Sequence, residues 1–343
     1  MDFAQEDIQA VARRKELFEA FRGKRVFVTG ATGLIGSALV KVLLAADERY
    51  DLGMQVIGQV RNPEKAERIF GGKREKDFVT LVEGYDVDCD FIVHTVSPTS
   101  SKFFIEHPVE TIKVSVGSAM SVLETANKCG SSMVYVSSME EYGVPDKPGE
   151  VMTEDKVGII DHLNIRSCYS ESKRLCECLC ASYAAEYGVN VSIARLAQTF
   201  GAVMMPGDNR MPAQFARAAA EGKDIVLRTK GRSVSNFVYL TDAIAGILLL
   251  LSGGKKGEAY NICNDSETRS VYEIARLVAE QVAGGAIGVR IEIPRENMGF
   301  APDNTMRLCS DKLRGLGWEA EVGMEEAYRR LVAVFRKQAF GHK

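Results

Sequence analysis

The chain has 343 residues, 46% of them hydrophobic and 26% charged, and its 43 basic and 46 acidic side chains leave a formal net charge of −3. That length accommodates one large α/β domain with an appendage or two modest domains, and the ordinary composition argues against a disordered or fibrous chain. Balanced charge without a basic run argues against nucleic acid as a partner, and the most apolar stretch, 244–251, is far short of the ~20 residues of a membrane span.

Residues 1–22 are mixed in charge and helical in pattern, without the apolar core of a secretory signal. They are expected to form an N-terminal helical extension of a cytoplasmic protein. The eight cysteines (89, 129, 168, 176, 178, 180, 263 and 309) are scattered and read as reduced thiols. Cys176, Cys178 and Cys180 look clustered, but i, i+2 positions on a helix point about 200° apart and cannot converge on one ion, so no metal site is expected.

Residues 25–29 (RVFVT) read as a β-branched strand, followed by a glycine-rich turn and an apolar helical run over 34–44. Further strands are expected at 54–60, 78–82 and 90–95, with 83–88 a short connector. Helical spacing over 108–129 stops at Gly130, 133–137 (MVYVS) is a buried strand, 167–187 is a long helix ended by Gly188, and 189–196 is a strand again. This alternation predicts an α/β fold with a doubly wound parallel sheet of Rossmann type.

Beyond about residue 197 the alternation breaks. Loops containing Pro206, Gly207, Asp208 and Pro212 interleave with helices at 213–221, 242–251 and 271–283 and short strands at 224–228, 234–240, 258–262 and 288–293. That is the pattern of a smaller C-terminal α+β lobe. The expected division is an extension (1–22), a dinucleotide-binding domain (23–197, with 232–252 returning to it) and a mainly substrate-binding lobe (198–343).

The first strand runs into Thr29-Gly30-Ala31-Thr32-Gly33-Leu34-Ile35-Gly36. Glycine is needed at three points: for the tight turn, for backbone approach to a pyrophosphate, and for packing of the helix on the strand. The helix N-terminus then offers free N–H donors to the diphosphate. Gly30, Thr32, Gly33, Leu34, Ile35 and Gly36 are therefore expected to hold a nicotinamide dinucleotide, with Thr95 after the fourth strand beside it. The second strand ends Gln59-Val60-Arg61-Asn62, without the carboxylate that would bind ribose hydroxyls. Arg61 suits an extra phosphate or is a solvated loop residue, so the choice between NAD and NADP stays open.

Tyr169 and Lys173 stand at i, i+4 on one helix face, about thirty residues after a buried strand ending in Ser138. Positive charge from Lys173 and from the oxidised nicotinamide favours the ionised phenol, which could take a proton from a sugar hydroxyl while hydride leaves for the nicotinamide. Ser138 is placed to hydrogen-bond the same oxygen, and Lys173 to hold the nicotinamide ribose as well.

The order TGATGLIG, HTVSPTSS (94–101), VSSMEEYG (136–143), YSESK, RLAQTFG (195–201) and GLGW (315–318) resembles the NAD-dependent epimerase/dehydratase family of extended short-chain dehydrogenases/reductases over roughly 23–335. The pattern is most similar to UDP-glucuronate decarboxylases and nucleotide-sugar 4,6-dehydratases. The resemblance implies a nucleotide-diphosphate sugar as partner, oxidation at its C4, then elimination, epimerisation or decarboxylation, and a homodimer formed through helices at about 108–129 and 168–187.

Glu140 matches the family's base and could remove the C5 proton of a 4-keto sugar, which puts a dehydratase-like reaction first; the alternative is a solvated loop carboxylate. Met139 stands where dehydratases carry an acid, and a thioether cannot donate a proton to a departing hydroxyl. Ser235 stands where the family ordinarily has an arginine that helps bind the diphosphate and, in decarboxylases, sits at the catalytic centre; Arg232 or Arg307 could take the diphosphate role, but the replacement counts against decarboxylation. The compact 83–88 connector departs from a longer family loop near the adenine. Gln198 replaces an asparagine that touches the substrate phosphate in many relatives. Ser97, Thr99, Ser100 and Ser101 could bond sugar hydroxyls or be polar loop filler, and His94 is expected to pack rather than to do acid–base chemistry. Four other readings stand beside this one: a UDP-sugar 4-epimerase, a UDP-glucuronate-type decarboxylase, an NADPH-dependent keto-sugar reductase supported by Arg61, and a non-catalytic dinucleotide sensor, which Tyr169 and Lys173 together argue against.

Overall fold

The apolar face of residues 3–12 makes helix α1 (Phe3–Ala12), which buries Ile8, Val11 and Ala12. The computed structural model describes residues 3–70, 78–81, 84–205, 207–294 and 303–340. Val82, Glu83 and Pro206, on which parts of the sequence reading fall, lie outside them.

After two 3-10 turns the chain enters β1 (Arg25–Thr29), α2 (Leu34–Tyr50), β2 (Gln55–Gln59), α3 (Pro63–Phe70) and β3 (Phe78–Leu81). There follow β4 (Phe91–His94), the short α4 (Ser101–Glu106), α5 (Pro108–Cys129), β5 (Ser132–Ser138), β6 (Val151–Met152), α6 (Cys168–Glu186) and β7 (Asn190–Leu196). Pro108 opens α5, where a missing N–H costs nothing, and left-handed Gly130 closes it. One wholly parallel sheet of seven strands runs β11-β7-β5-β4-β1-β2-β3, where β11 is Ala259–Ile262. Winding reverses between β1 and β4. In such sheets the crevice outside the strand ends at the reversal is where ligands bind.

The remaining elements are β8 (Gln198–Phe200), α7 (Met211–Glu221), β9 (Ile225–Leu227), β10 (Val234–Tyr239), α8 (Leu240–Gly253), β12 (Asn264–Ser270), α9 (Val271–Leu277), β13 (Val289–Ile291), β14 (Thr305–Leu308), α10 (Asp311–Arg314) and α11 (Met324–Phe340); α8 returns to pack on β4, β5 and β7 of the seven-stranded sheet, and most of the others build a second lobe. Its main sheet runs β12-β10-β14-β6, with β8 also on β10, while β13 pairs with β9. The helix expected over 271–283 is α up to Leu277 and widens to a π turn at Val278–Val282. Strands β12 and β14 escape the sequence reading because tertiary pairing with β10, not apolar alternation, makes them extended. Among the described residues no helix is long and apolar enough to cross a membrane.

Candidate active site

Three glycines shape the turn after β1, each for its own reason. Gly30 is left-handed (φ +65°), and a Cβ there would meet Thr95 Oγ1 at 2.8 Å. Gly36 sits so close beneath the strand that a Cβ would be 2.3 Å from the Gly30 carbonyl oxygen. Gly33 caps α2 in extended conformation, and a Cβ there would meet only the Gly30 oxygen, at 3.2 Å. The first helical bond is Ser37 N–H to Gly33 O, so the amides of Leu34, Ile35 and Gly36 precede the ladder and face the crevice end of the helix. Such a cradle, which side chains would fill, fits a dinucleotide pyrophosphate.

Gln59 is buried and braces the same turn: its side-chain oxygen accepts from Gly30 N–H (3.2 Å) and its carbonyl from Ala31 N–H (3.1 Å). Arg61 is exposed, just beyond β2. Thr95 lies at the turn, its hydroxyl donating to Thr29 O at 2.7 Å. His94 is fully buried between Thr29 Oγ1 (2.8 Å from Nδ1) and Ser118 Oγ (3.3 Å from Nε2), stacked on Tyr135. Burial, then the charge of Lys173, push it down to about 3, so it is a neutral packing residue.

Strand β5 delivers Ser138 to the crevice, and α6 presents Tyr169 and Lys173 toward it. The Ser138 side chain lies near enough to the Tyr169 hydroxyl to favour its ionised form, and the Tyr169 ring stacks on Phe104 at 4.5 Å. Lys173 is 4% exposed; its ammonium donates to Val136 O (2.8 Å) and lies 4.9 Å from the Tyr135 ring and 5.8 Å from that of Tyr169. Burial lowers Lys173 to about 8, against the nearby Cys176, Glu177 and Cys180, which raise it. Burial and then Glu140 push the Tyr169 phenol far up, while the nearby Ser138 hydroxyl and Arg166 pull it down. The chain's own groups thus keep Tyr169 a neutral phenol, and Lys173 alone does not produce the phenolate that its i, i+4 spacing suggests.

Glu140 follows in a 3-10 turn capped by Ser138, whose hydroxyl accepts from Glu140 N–H (3.2 Å). Its carboxylate pairs with Arg166 at 3.3 Å. Met139 is buried, 7% exposed. Behind this turn lies a buried ionic group that the sequence reading missed. Arg195 grips Glu177 through Nε and Nη2 (2.7 to 3.2 Å), and Ser137 Oγ donates to the same carboxylate (2.5 Å). Glu141 Oε1 is 3.1 Å from Arg195 Nε without a hydrogen bond, because that N–H is directed at Glu177. Arg174 holds the carbonyls of Glu141, Tyr142 and Gly158 (2.6 to 3.0 Å) and so fixes the turn. One signal was available: Tyr169, Lys173 and Glu177 repeat at i, i+4, i+8 on one helix face.

A match to the family model "NAD dependent epimerase/dehydratase family" spans residues 26–263. The chain belongs to that family. It is 28% identical over 319 residues to UDP-glucuronic acid decarboxylase 1 of Xenopus tropicalis, covering 92% of this chain and 73% of the relative. The solved UDP-glucose 4-epimerase of Thermotoga maritima superposes with a TM-score of 0.76 at 22% identity, over 92% of this chain and 99% of the other. DesIV, a dTDP-glucose 4,6-dehydratase from Streptomyces venezuelae, gives 0.75 at 22% identity, over 91% and 97%. These likenesses confirm the Rossmann-type α/β architecture expected from the strand–helix alternation.

The family member's other expected site residues are dispersed. Ser97 is tied to α5 through Ser115 Oγ (3.4 Å), and Thr99 is exposed before α4. Gln198 is exposed at the start of β8, two residues beyond Leu196, the register partner of Ser138. Arg232 and Arg307 are exposed on the second lobe, before β10 and within β14. The cross-strand partner of Ser235 is Arg269, an arginine the sequence reading did not weigh, which donates to Glu267 at 2.9 Å. A cavity of about 430 Å³ between α7 and β9 shares no residue with the Ser138–Tyr169–Lys173 group.

Proposed function

We propose that this protein binds NAD(P) in the α2 cradle and a nucleotide-diphosphate sugar across the crevice, oxidises the sugar at C4, and then acts at C5–C6. The observation that carries the reading is Tyr169 on α6 with the Lys173 ammonium 5.8 Å from its ring, one turn further along, beside Ser138 at the end of β5. When bound, the dinucleotide supplies a hydride acceptor. Tyr169 takes the C4 hydroxyl proton as its phenolate, a form favoured once the positive charge of a bound oxidised nicotinamide adds to that of Lys173, and Ser138 holds the same oxygen. Gly30, Thr32, Gly33, Leu34, Ile35, Gly36 and Thr95 are the proposed cofactor contacts, and Arg61 a contact to the adenosine ribose or its phosphate. Ser97, Thr99, Gln198, Arg232 and Arg307 are the proposed substrate contacts.

For the second stage, loss of carbon dioxide from a C6 carboxylate is the leading reading. A 4-keto uronic acid is a β-keto acid: carbon dioxide leaves with the bonding pair drawn into a C4–C5 enolate, which then takes a proton at C5 from water, so no acid is needed at C6 and buried Met139 is no obstacle. Arg166 supplies a guanidinium suited to a carboxylate. Sequence relatives such as the Xenopus enzyme are named decarboxylases. Dehydration is the second reading, because Glu140 is a base within the site; it then needs another proton donor for the C6 hydroxyl. Absorbance at about 340 nm on adding a panel of UDP-, dTDP-, GDP- and CDP-sugars reads cofactor reduction. Mass spectrometry separates carbon dioxide loss, water loss and an isobaric epimer. No product from any sugar sinks the reading.

A homodimer through α5 and α6 and a reducing, cytoplasmic location are part of the same proposal. Val109 (63%), Ile112 (44%), Met120 (42%) and Leu175 (47%) are large apolar side chains exposed on those two helices, a patch that a partner copy would cover. Equilibrium sedimentation tests this: M120E should shift the protein to monomer, and a monomeric wild type overturns the dimer.

A further inference from the structure

Helix α1 lies outside the segment matched by the family model, yet it buries a carboxylate. Asp7 is 4% exposed. Its Oδ2 accepts from the Tyr239 hydroxyl at 2.5 Å, and its Oδ1 from Arg330 Nη1 at 2.9 Å. The Tyr239 oxygen in turn accepts from Ala202 N–H at 3.2 Å. The Asp7–Tyr239 pair thus links three parts of the chain: the end of β10 and helix α11 bond Asp7 directly, and the segment that follows β8 bonds Tyr239.

That segment borders the catalytic serine. Strand β7 pairs Leu196 with Ser138, β8 begins two residues later with Gln198, and β8 runs beside β10 from Gln198↔Phe237 to Phe200↔Tyr239. The rest of the anchorage is apolar: Phe200 contacts the Phe237, Tyr239 and Tyr328 rings, and Gly201 lies against Leu240, where a Cβ would be 2.6 Å from the leucine Cβ. Apolar packing fixes the depth of the segment, whereas a directional N–H···O bond fixes its rotation. The relay gains from its ionised end, since a hydroxyl donating to a carboxylate is a better acceptor for the next donor. α1 is itself fastened to the dinucleotide helix, where Arg49 donates to Gln9 (2.8 Å) and the Tyr50 hydroxyl to Arg13 O (2.7 Å).

We propose that Asp7 is a positioning residue for substrate binding: through Tyr239 it fixes the Ala202 amide and so the orientation of Gln198–Met204 beside Ser138. The inference rests on the proposed nucleotide-sugar reading for its effect on substrate, but the relay is measurable without substrate.

Asp7→Asn turns one acceptor oxygen into a donor, and Tyr239→Phe removes the hydroxyl while keeping the ring; the second variant serves if the first folds poorly. Hydrogen exchange followed by mass spectrometry should show peptides over 198–204 exchanging about tenfold faster in both variants, with β1 and β5 unchanged. KM for the sugar nucleotide should rise about tenfold with kcat and NAD(P) affinity within about twofold, and Asp7→Glu should recover part of the loss. A merely structural role would lower the melting temperature and leave KM of the folded fraction unmoved. Unchanged exchange over 198–204 overturns the relay. Faster exchange with unchanged KM overturns the positioning role and leaves the proposed function standing. A wild type that binds no UDP-, dTDP-, GDP- or CDP-sugar overturns the proposed function, and the positioning role with it.

Discussion

The Glu140 carboxylate lies 3.3 Å from the Arg166 guanidinium, and both flank Tyr169: Arg166 lowers its pKa and Glu140 raises it. A single acidic residue in the loop would only oppose ionisation of the phenol. The pair instead places a guanidinium where a substrate carboxylate could compete for it. Arg166→Ala should lower kcat/KM for a nucleotide-linked uronic acid by about tenfold to a hundredfold. That range follows from ~1.5–3 kcal/mol for a hydrogen bond to a charged group, taken toward its low end because both partners are partly exposed. Arg166→Lys, which keeps the charge without the fork, should fall in between. Steady-state kinetics check this. An unaltered kcat/KM would remove Arg166 from the site and return dehydration to first place.

Tyr169→Phe keeps the ring on Phe104 and removes only the hydroxyl that meets Ser138. Turnover should fall by about 10²–10⁴, the usual worth of a positioned acid–base group, while the melting temperature stays near that of wild type. Cofactor binding, read by fluorescence titration, should persist because the cradle belongs to α2. A variant that turns over normally would move the proton-transfer role to another residue.

Activity should also show an alkaline limb. Lys173 is lowered to about 8 by burial, so its ammonium is lost as pH rises through that value, and the field that helps Tyr169 ionise goes with it. kcat/KM measured from pH 6 to 10 should decline above about 8. A flat profile to pH 10 would show that the bound ligands keep Lys173 charged or that its charge is not used.

The sheet and the cradle were legible in the sequence because local rules made them: β-branched runs for buried strands, and glycine wherever a Cβ would collide, as at Gly36. Tyr169 and Lys173 were legible because helical spacing places them on one face. The partners that tune them were not. Arg166 and Glu140 are 26 residues apart, and Glu177 and Arg195 are 18 apart. Only the register of β5 against β7 and the docking of α6 bring them together. The same holds for Asp7 and Tyr239, separated by 232 residues. Polar β12 was invisible for another reason: its conformation comes from β10, not from its own side chains.

Gly36→Ala should destroy the cradle rather than weaken it. The added carbon would sit 2.3 Å from the Gly30 carbonyl oxygen and 3.0 Å from the Ala31 Cα, both backbone, so α2 must lift away from β1. Overpacking of this kind costs ~1–3 kcal/mol or more and here displaces the amides of Leu34 and Ile35. Urea denaturation should show the loss, and NAD(P) binding should be undetectable at concentrations that saturate wild type. Retained binding would mean that the dinucleotide does not use the helix N-terminus.

Glu141 makes stability depend on pH in a direction opposite to that of an ordinary paired carboxylate. Burial, then the charge of Glu177, raise it from 4.5 to about 7, and Arg195 and Arg174 only partly oppose them. The folded protein therefore binds the Glu141 proton more tightly than the unfolded chain does. That contribution is fully present below pH 4.5 and is lost as pH rises through about 7, since stability falls with pH wherever the native state holds more protons. The shift corresponds to ~3 kcal/mol at most. Glu141→Gln keeps the shape, removes the titration and leaves Arg195 to Glu177 alone. The variant should equal wild type within ~1 kcal/mol near pH 5, where both carry a neutral side chain, and exceed it by ~1–3 kcal/mol at pH 8. Urea unfolding at the two pH values measures this. A variant less stable than wild type at pH 8 would show that the Arg195 contact outweighs burial, and that Glu141 is ionised throughout the neutral range.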